Sequence, residues 1–404
     1  MMFKSKLVIF LVSLSFFWGN AFSFANESDT PIGLWLSWHK DPSTTMNIKW
    51  LTKKEDRNSH LEYREVNKLI WKGALVQEIK MPYDLPYVIH YVEIKGLTPN
   101  TVYEFTIDDK ETYLFKTLPN SLATPIKFVV GGDMYHDDIE VVRETQRAAA
   151  SNSPSFAILG GDLAYSAPKV GHFKEEFEKW VDFLKAWKET MITKEGYLIP
   201  MVTAIGNHEV IGRYGQSKAE AVFYYAFFAT PNGSTNYTLD FGNYLSLIIL
   251  DSGHTFDISG EQTEWLEQSL KDRICVPHKF AVYHVPAWPS IRKFEYKVSK
   301  EIRANWVPLF EKYHLNAAFE HHDHGYKRSH PIYEGQIDQN KGVIYLGDGA
   351  WGVKKPRLPK TKEPRWWIAK SLPERHFFLV TLKGCVRNYK GINSDGVIFD
   401  EVTR

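Results

Sequence analysis

Five apolar runs in this chain each end abruptly at a polar, chemistry-bearing group, and no other feature restricts the fold as much. Ile126 to Val130 runs into Gly131-Gly132-Asp133, and Phe156 to Leu159 into Gly160-Gly161-Asp162-Leu163-Ala164-Tyr165. Pro200 to Ile205 ends in Gly206-Asn207-His208-Glu209, Phe280 to Tyr283 in His284, and Ala317 to Phe319 in Glu320-His321-His322-Asp323-His324. Short apolar runs alternating with helical stretches predict an α/β core. In open α/β sheets, ligand crevices form beyond the carboxyl ends of the strands, which is where these groups sit.

The delivered groups are hard oxygen and nitrogen donors. The carboxylates of Asp133 and Asp162, the Tyr165 phenol, the Asn207 amide and the imidazoles of His284, His322 and His324 exceed what one ion needs. They suit two ions sharing a bridge. Each fragment alone is weak support, since a lone Gly-Asp after a strand is usually a turn and a lone His-x-His pair is usually structural. Their joint occurrence in one order is much more specific. Only 2 of the 404 residues are cysteine, so a metal site has to be built from these donors and not from thiolates. Cys275 and Cys385 either pair or remain as two buried free thiols. Basic and acidic residues nearly balance, 49 against 48, which argues against a duplex nucleic-acid partner.

Residues 1–25 read as a secretory signal, with Lys4 and Lys6 ahead of an apolar run from Leu7 to Trp18 and a Ser23-Phe24-Ala25 cleavage pattern. That run is shorter than the roughly 18 to 20 residues a membrane span needs. Export to a periplasm or the exterior, with cleavage near Ala25, is expected. Residues 31–118 carry short strand-like runs such as Gly33 to Trp38, Met46 to Trp50 and Tyr87 to Val92, the pattern of an antiparallel β-sandwich. The segment Leu97-Thr98-Pro99-Asn100-Thr101-Val102-Tyr103-Glu104-Phe105 resembles fibronectin type III domains. Residues 124–404 form the second region. There Phe173, Phe177, Trp180, Leu184 and Trp187 repeat at spacings of four and three, the buried stripe of a helix. Glu264 to Leu270 and Glu301 to His314 predict further helices, and Val380 to Val402, including Gly396 to Asp400, predicts strands closing the sheet.

Taken together, the motifs resemble the calcineurin-like metallophosphoesterases, and within them the purple acid phosphatases. That family's pattern is an early Asp, Gly-Asp-x-x-Tyr, Gly-Asn-His-Asp/Glu, a lone His after an apolar strand, then Gly-His-x-His. Here it reads Asp133, Gly161-Asp162-Leu163-Ala164-Tyr165, Gly206-Asn207-His208-Glu209, His284 and His322-Asp323-His324. The resemblance implies an N-terminal all-β sandwich plus an αββα four-layer catalytic domain around a dinuclear centre. Asp133, Asp162, Tyr165 and His324 would hold a ferric ion. Asp162 would bridge to a divalent ion (Zn, Fe or Mn) completed by Asn207, His284 and His322. The implied activity is hydrolysis of small phosphomonoesters by in-line attack of a metal-activated hydroxide, with Asn207 and His208 meeting the substrate and His208 as the catalytic histidine. A phosphodiesterase on the same centre is the alternative, and a non-catalytic secreted binding protein a third reading. His136 and His254 follow strand-like runs too and are candidates to line the cleft, although a surface or turn role is favoured for each. Two departures stand out. His321 replaces the family's glycine before His322, and Val285 to Lys300 lacks the additional histidines of plant members, with Trp288, Arg292 and Lys293 in their place.

Overall fold

A computed structural model describes residues 31–404 except 56–58, 168–173, 229–232 and 359–364. The expected signal segment and Phe173 lie outside the described residues. Residues 31–404 form one compact unit.

The first eight strands are Gly33–Ser37 (β1), Thr45–Lys53 (β2), Leu61–Glu65 (β3), Lys72–Ala74 (β4), Gln77–Lys80 (β5), Tyr87–Lys95 (β6), Val102–Ile107 (β7) and Thr112–Lys116 (β8). They make two four-stranded antiparallel sheets, β1-β2-β6-β5 and β4-β3-β7-β8. Alternation is plain in β7, where Tyr103, Phe105 and Ile107 are buried between partly exposed neighbours.

Two further sheets build the second region. One contains Ile126–Gly131 (β9), Ala157–Leu159 (β10) and Met201–Thr203 (β11). The other contains Tyr237–Phe241 (β12), Leu245–Ile249 (β13), His278–Val282 (β14), Ala317–Phe319 (β15) and Tyr326–Ser329 (β16). The hairpin Ile332–Tyr333 (β17) and Gln336–Ile337 (β18) stands apart, Ile344–Gly347 (β19) and Ile368–Leu372 (β20) join the second sheet, and His376–Lys383 (β21), Val386–Asn393 (β22) and Ile398–Thr403 (β23) join the first. The strand orders are β11-β10-β9-β21-β22-β23 and β12-β13-β14-β15-β19-β16-β20.

Side-chain alternation stacks these sheets. Phe128 and Val130 of β9 share one buried cluster with Phe280 and Val282 of β14, between the sheets. Val129 instead faces the helices Ile139–Ala150 (α1), Phe177–Thr190 (α2) and Val222–Phe228 (α3). Ala281 faces Glu261–Asp272 (α4), Lys297–Asn305 (α5) and Val307–Lys312 (α6). A period of two on each central strand therefore yields helix, sheet, sheet, helix in order.

The aromatic stripe of α2 is core, since Phe177, Trp180, Leu184 and Trp187 are all buried. The helix expected from Glu301 to His314 is instead two, α5 and α6, parted at Trp306. Pro308 at the start of α6 has no N–H to continue the ladder. Gly396 and Val397 belong to a turn, with Gly396 at φ 82°, and the strand begins at Ile398. Cys275 and Cys385 are free but exposed, not buried, because both sit on turns at the ends of elements.

The sandwich meets the second region through α3. Phe227 O, one of the helix's unpaired last-turn carbonyls, accepts from Trp35 Nε1 (3.3 Å) and from Lys49 Nζ (3.0 Å). Lys49 is fully buried, and loss of hydration lowers its pKa from 10.5 to about 7. Above that pH the folded chain has shed a proton that the unfolded chain keeps. Stability should therefore rise with pH from about 7 to 10, by up to about 1.4 kcal/mol per unit. Urea unfolding at pH 7 and 9 should show the wild type gaining on Lys49→Met. Parallel behaviour of the two proteins would remove Lys49 as the cause.

Candidate metal centre

All five strand exits predicted to carry donors converge on one buried cluster. Asp133, past β9, and Asp162, past β10, are tied side by side, for Asp133 N donates to Gly161 O (3.0 Å) and Met134 N to Asp162 O (2.8 Å). Tyr165 OH lies 3.0 Å from Asp133 Oδ1 and 3.1 Å from His324 Nε2, and those two atoms are 2.9 Å apart. On the other side, His284 Nε2 lies 3.2 Å from each of Asp162 Oδ2, Asn207 Oδ1 and His322 Nδ1. Asp162 belongs to both groups of carboxylate and imidazole donors.

These separations suit metal ions. Donors about 2.0–2.2 Å from a common ion stand roughly 3 Å from one another. Among the described residues Asp162 Oδ2 is buried with no hydrogen bond, only the ion-pair approach of His284 Nε2 at 3.2 Å, although Oδ1 accepts His208 N at 2.7 Å. Charge tells the same story. Burial raises the Tyr165 phenol well above its usual range, and Asp133 and Asp162 add to that. Burial would lower His284, but the Asp162 carboxylate outweighs it and lifts the imidazole to about 9. Without an ion the cluster takes a proton between Asp162 and His284, so positive charge is what this donor set calls for.

The surrounding residues fix these donors. His284 Nδ1 is held by Gly160 O (2.9 Å), which turns Nε2 inward, and Tyr214 OH lies 3.4 Å from the outer nitrogen of His322. The buried Glu209 carboxylate accepts from Asp162 N (2.7 Å), Leu163 N (2.7 Å) and Gly206 N (2.9 Å), clamping two donor loops together. A Cβ on Gly206 would stand 2.3 Å from Asp162, so only glycine allows that approach. Five of the donors, Asp133, Asp162, Tyr165, His322 and His324, have φ between 53° and 73°. Such left-handed residues cluster where function demands them.

His208 is outside the donor cluster. Its ring stacks on Tyr165, with centroids 4.3 Å apart, and lines a cleft of about 750 Å³ above the cluster, together with Asn207, His322 and His324. His321 is the surprise. Its ring is buried against Gly160, where a Cβ would come within 1.7 Å of Nε2, and neither nitrogen has a partner among the described residues. Burial drives its pKa down to about 3. The extra imidazole is thus a neutral packing element behind the cluster.

The chain was compared with known proteins. Residues 31–117 match the purple acid phosphatase N-terminal domain, and residues 126–326 the calcineurin-like phosphoesterases. Purple acid phosphatase 15 of Arabidopsis thaliana is 26% identical over 65% of this chain, and purple acid phosphatase 23 of that plant 24% over 79%. The chain belongs to the purple acid phosphatase family.

Acid phosphatase type 7 of Mus musculus, a further relative, is 23% identical over 78% of the chain and 76% of its own length. The chain spans only 53% of the length of purple acid phosphatase 15 and 77% of that of purple acid phosphatase 23. Among solved structures, a purple acid phosphatase from yellow lupin seeds superposes with a TM-score of 0.72 at 18% identity, covering 92% of this chain and 73% of that one. The fold is thus that of a purple acid phosphatase, a β-sandwich followed by the calcineurin-like α/β domain.

In the stretch that lacks histidines, Arg292 and Tyr296 line the cleft. His136, for which the sequence favours a surface or turn role but also offers cleft lining, does line it, with its ring 4.6 Å from that of His324. His254 is buried, bonded to Arg213 O and stacked on Tyr214. Tyr214, Arg213 and Arg357 went unread because they sit on irregular loops without a strand-end signal. No helix among the described residues is long and apolar enough to cross a membrane.

Proposed function

We propose that this chain is an exported phosphatase that hydrolyses small phosphomonoesters at a dinuclear metal centre. The observation that carries the reading is one carboxylate, Asp162, shared by two donor groups at the floor of an open cleft. Asp133, Asp162, Tyr165 and His324 would hold one ion, and Asp162, Asn207, His284 and His322 the other. The phenol and carboxylates favour a hard ferric ion in the first position, and the neutral amide and imidazoles a divalent one in the second. When bound, the pair supplies Lewis acidity toward a water and the phosphoryl oxygens. The protein's own part is positioning. Glu209 fixes the Asp162 and Asn207 loops, Tyr214 and Gly160 O orient His322 and His284, and His208 offers a ring nitrogen to a substrate oxygen. Residues 31–118 and 124–404 are the two domains, and residues 1–25 the export signal.

The test is to load the purified protein, count Fe, Zn and Mn per chain, record its visible spectrum, and compare an aryl monoester with a bis-aryl diester. Two metals, faster turnover of the monoester and a purple band that Tyr165→Phe removes are the expected results. A colourless protein with only divalent ions would sink the ferric assignment. Preference for the diester would make it a phosphodiesterase, and inactivity toward both with two metals bound would leave a binding protein.

A further inference from the structure

Three arginines surround the cluster, each beside one of the cleft's histidines. Arg357 N donates to His324 O (2.7 Å). Arg292 Nη2 donates to His322 O (3.3 Å), and its Nε lies 3.2 Å from Asp323 Oδ1. Arg213 is held at φ 71° by bonds from its own N–H to Val210 O and from His254 Nδ1 to its carbonyl, and its charge reaches His208. All three line the cleft.

Arg292 is a built feature. Asp323 lies between two proposed ligands and is fully buried. Its Oδ2 accepts the backbone N–H of Ile291 (2.7 Å) and of Arg292 (3.1 Å), while Oδ1 faces the guanidinium. One carboxylate thereby couples the loop that carries Arg292 to the loop that carries His322 and His324. The side chains of Arg213 and Arg357 have no ion pair or hydrogen bond among the described residues.

A phosphoryl group has three non-bridging oxygens, which two ions held by the donor cluster, together with His208, would be enough to engage. The arginines, and Lys179 elsewhere in the cleft lining, are surplus to that need. Besides Asp162, two acids line the cleft. Asp137 is taken by the His136 ring (3.0 Å) and Lys354 N (2.7 Å), and Glu176 is exposed on the rim. A cleft of about 750 Å³ has room for a whole small ligand and not only its phosphate.

We infer that Arg213, Arg292 and Arg357 bind a second anionic group on the substrate, so that the favoured substrates are compact organic bisphosphates and not isolated monophosphates. This rests on the hydrolase reading above and specifies it. Guanidinium suits the role because its planar donors pair with phosphate oxygens and stay charged at any working pH.

The test uses the metal-loaded full chain. Calorimetric affinity for propane-1,3-diyl bisphosphonate is compared with that for propylphosphonate, and kcat/KM for fructose 1,6-bisphosphate with that for fructose 6-phosphate. We expect the doubly charged member of each pair to lead by about tenfold at low salt, and the lead to shrink as salt rises. Arg292→Gln with Arg357→Gln should cut the binding lead to about threefold or less while two metals per chain remain. Arg357→Gln alone, at an exposed position, should narrow it in part and guards against misfolding of the double variant. Equal affinities in the wild type, or a lead untouched by the substitutions at full metal content, would overturn the inference. Failure of the hydrolase reading looks different: the bisphosphonate lead would persist while no phosphoester is turned over.

Discussion

Asp162→Asn is expected to lower turnover by about a thousandfold or more and to bring the metal content below two ions per chain. The asparagine keeps the shape, so His208 N still has an oxygen to bond, and it tolerates the φ of 53° better than alanine. What it removes is the charge shared by the two donor groups. Asp162 is held well below the usual carboxylate range: burial opposes ionisation, but the charge on His284 and then on His208 outweighs it. A neutral amide there cannot draw two cations together. Metal analysis and steady-state kinetics on the same preparation decide the matter. Near-normal turnover with both ions retained would show that Asp162 is no bridge.

Lys327→Met should destabilise the fold by about 3–5 kcal/mol, the cost of stranding buried charges. Lys327 Nζ is fully buried between Glu320 Oε2 and Asp348 Oδ1 and also donates to Trp288 O (2.8 Å). The two carboxylates in turn hold the loop after β14. Glu320 Oε1 accepts Tyr283 OH and Ala287 N, both at 2.7 Å, and Asp348 Oδ2 accepts the Ser290 hydroxyl at 2.6 Å. Without the ammonium, two buried carboxylates face each other across the space it leaves. Denaturant midpoints measure the loss, and a shift worth less than about 1 kcal/mol would mean that the Lys327 ammonium is not what balances the two carboxylates.

The donor cluster was legible because its chemistry sits where apolar runs stop. Strand ends are visible in one dimension, and parallel strands gather their ends in three. The αββα layering needed the family resemblance, since alternation in strands of three residues such as β10 and β15 is too short to read. What escaped was set by loops. Arg213, Tyr214, Tyr296 and Arg357 reach the cleft by turns that carry no periodic signal, and for His136 the sequence offered both a turn role and a cleft role, which only the meeting of its ring with that of His324 separates. Glu209 was visible within its motif, yet its grip on three backbone N–H groups from two loops exists only in the folded arrangement. The break between α5 and α6 falls beside Pro308, which the expectation of one helix from Glu301 to His314 left out of account.

The left-handed donors have an evolutionary consequence. At Asp133, Asp162, Tyr165, His322 and His324 the backbone alone would prefer glycine, or asparagine, and each departure costs on the order of 1–3 kcal/mol. Selection for stability and selection for chemistry therefore pull these five positions in opposite directions. A lineage that lost the need for catalysis would drift toward glycine there first, gaining robustness as it did so.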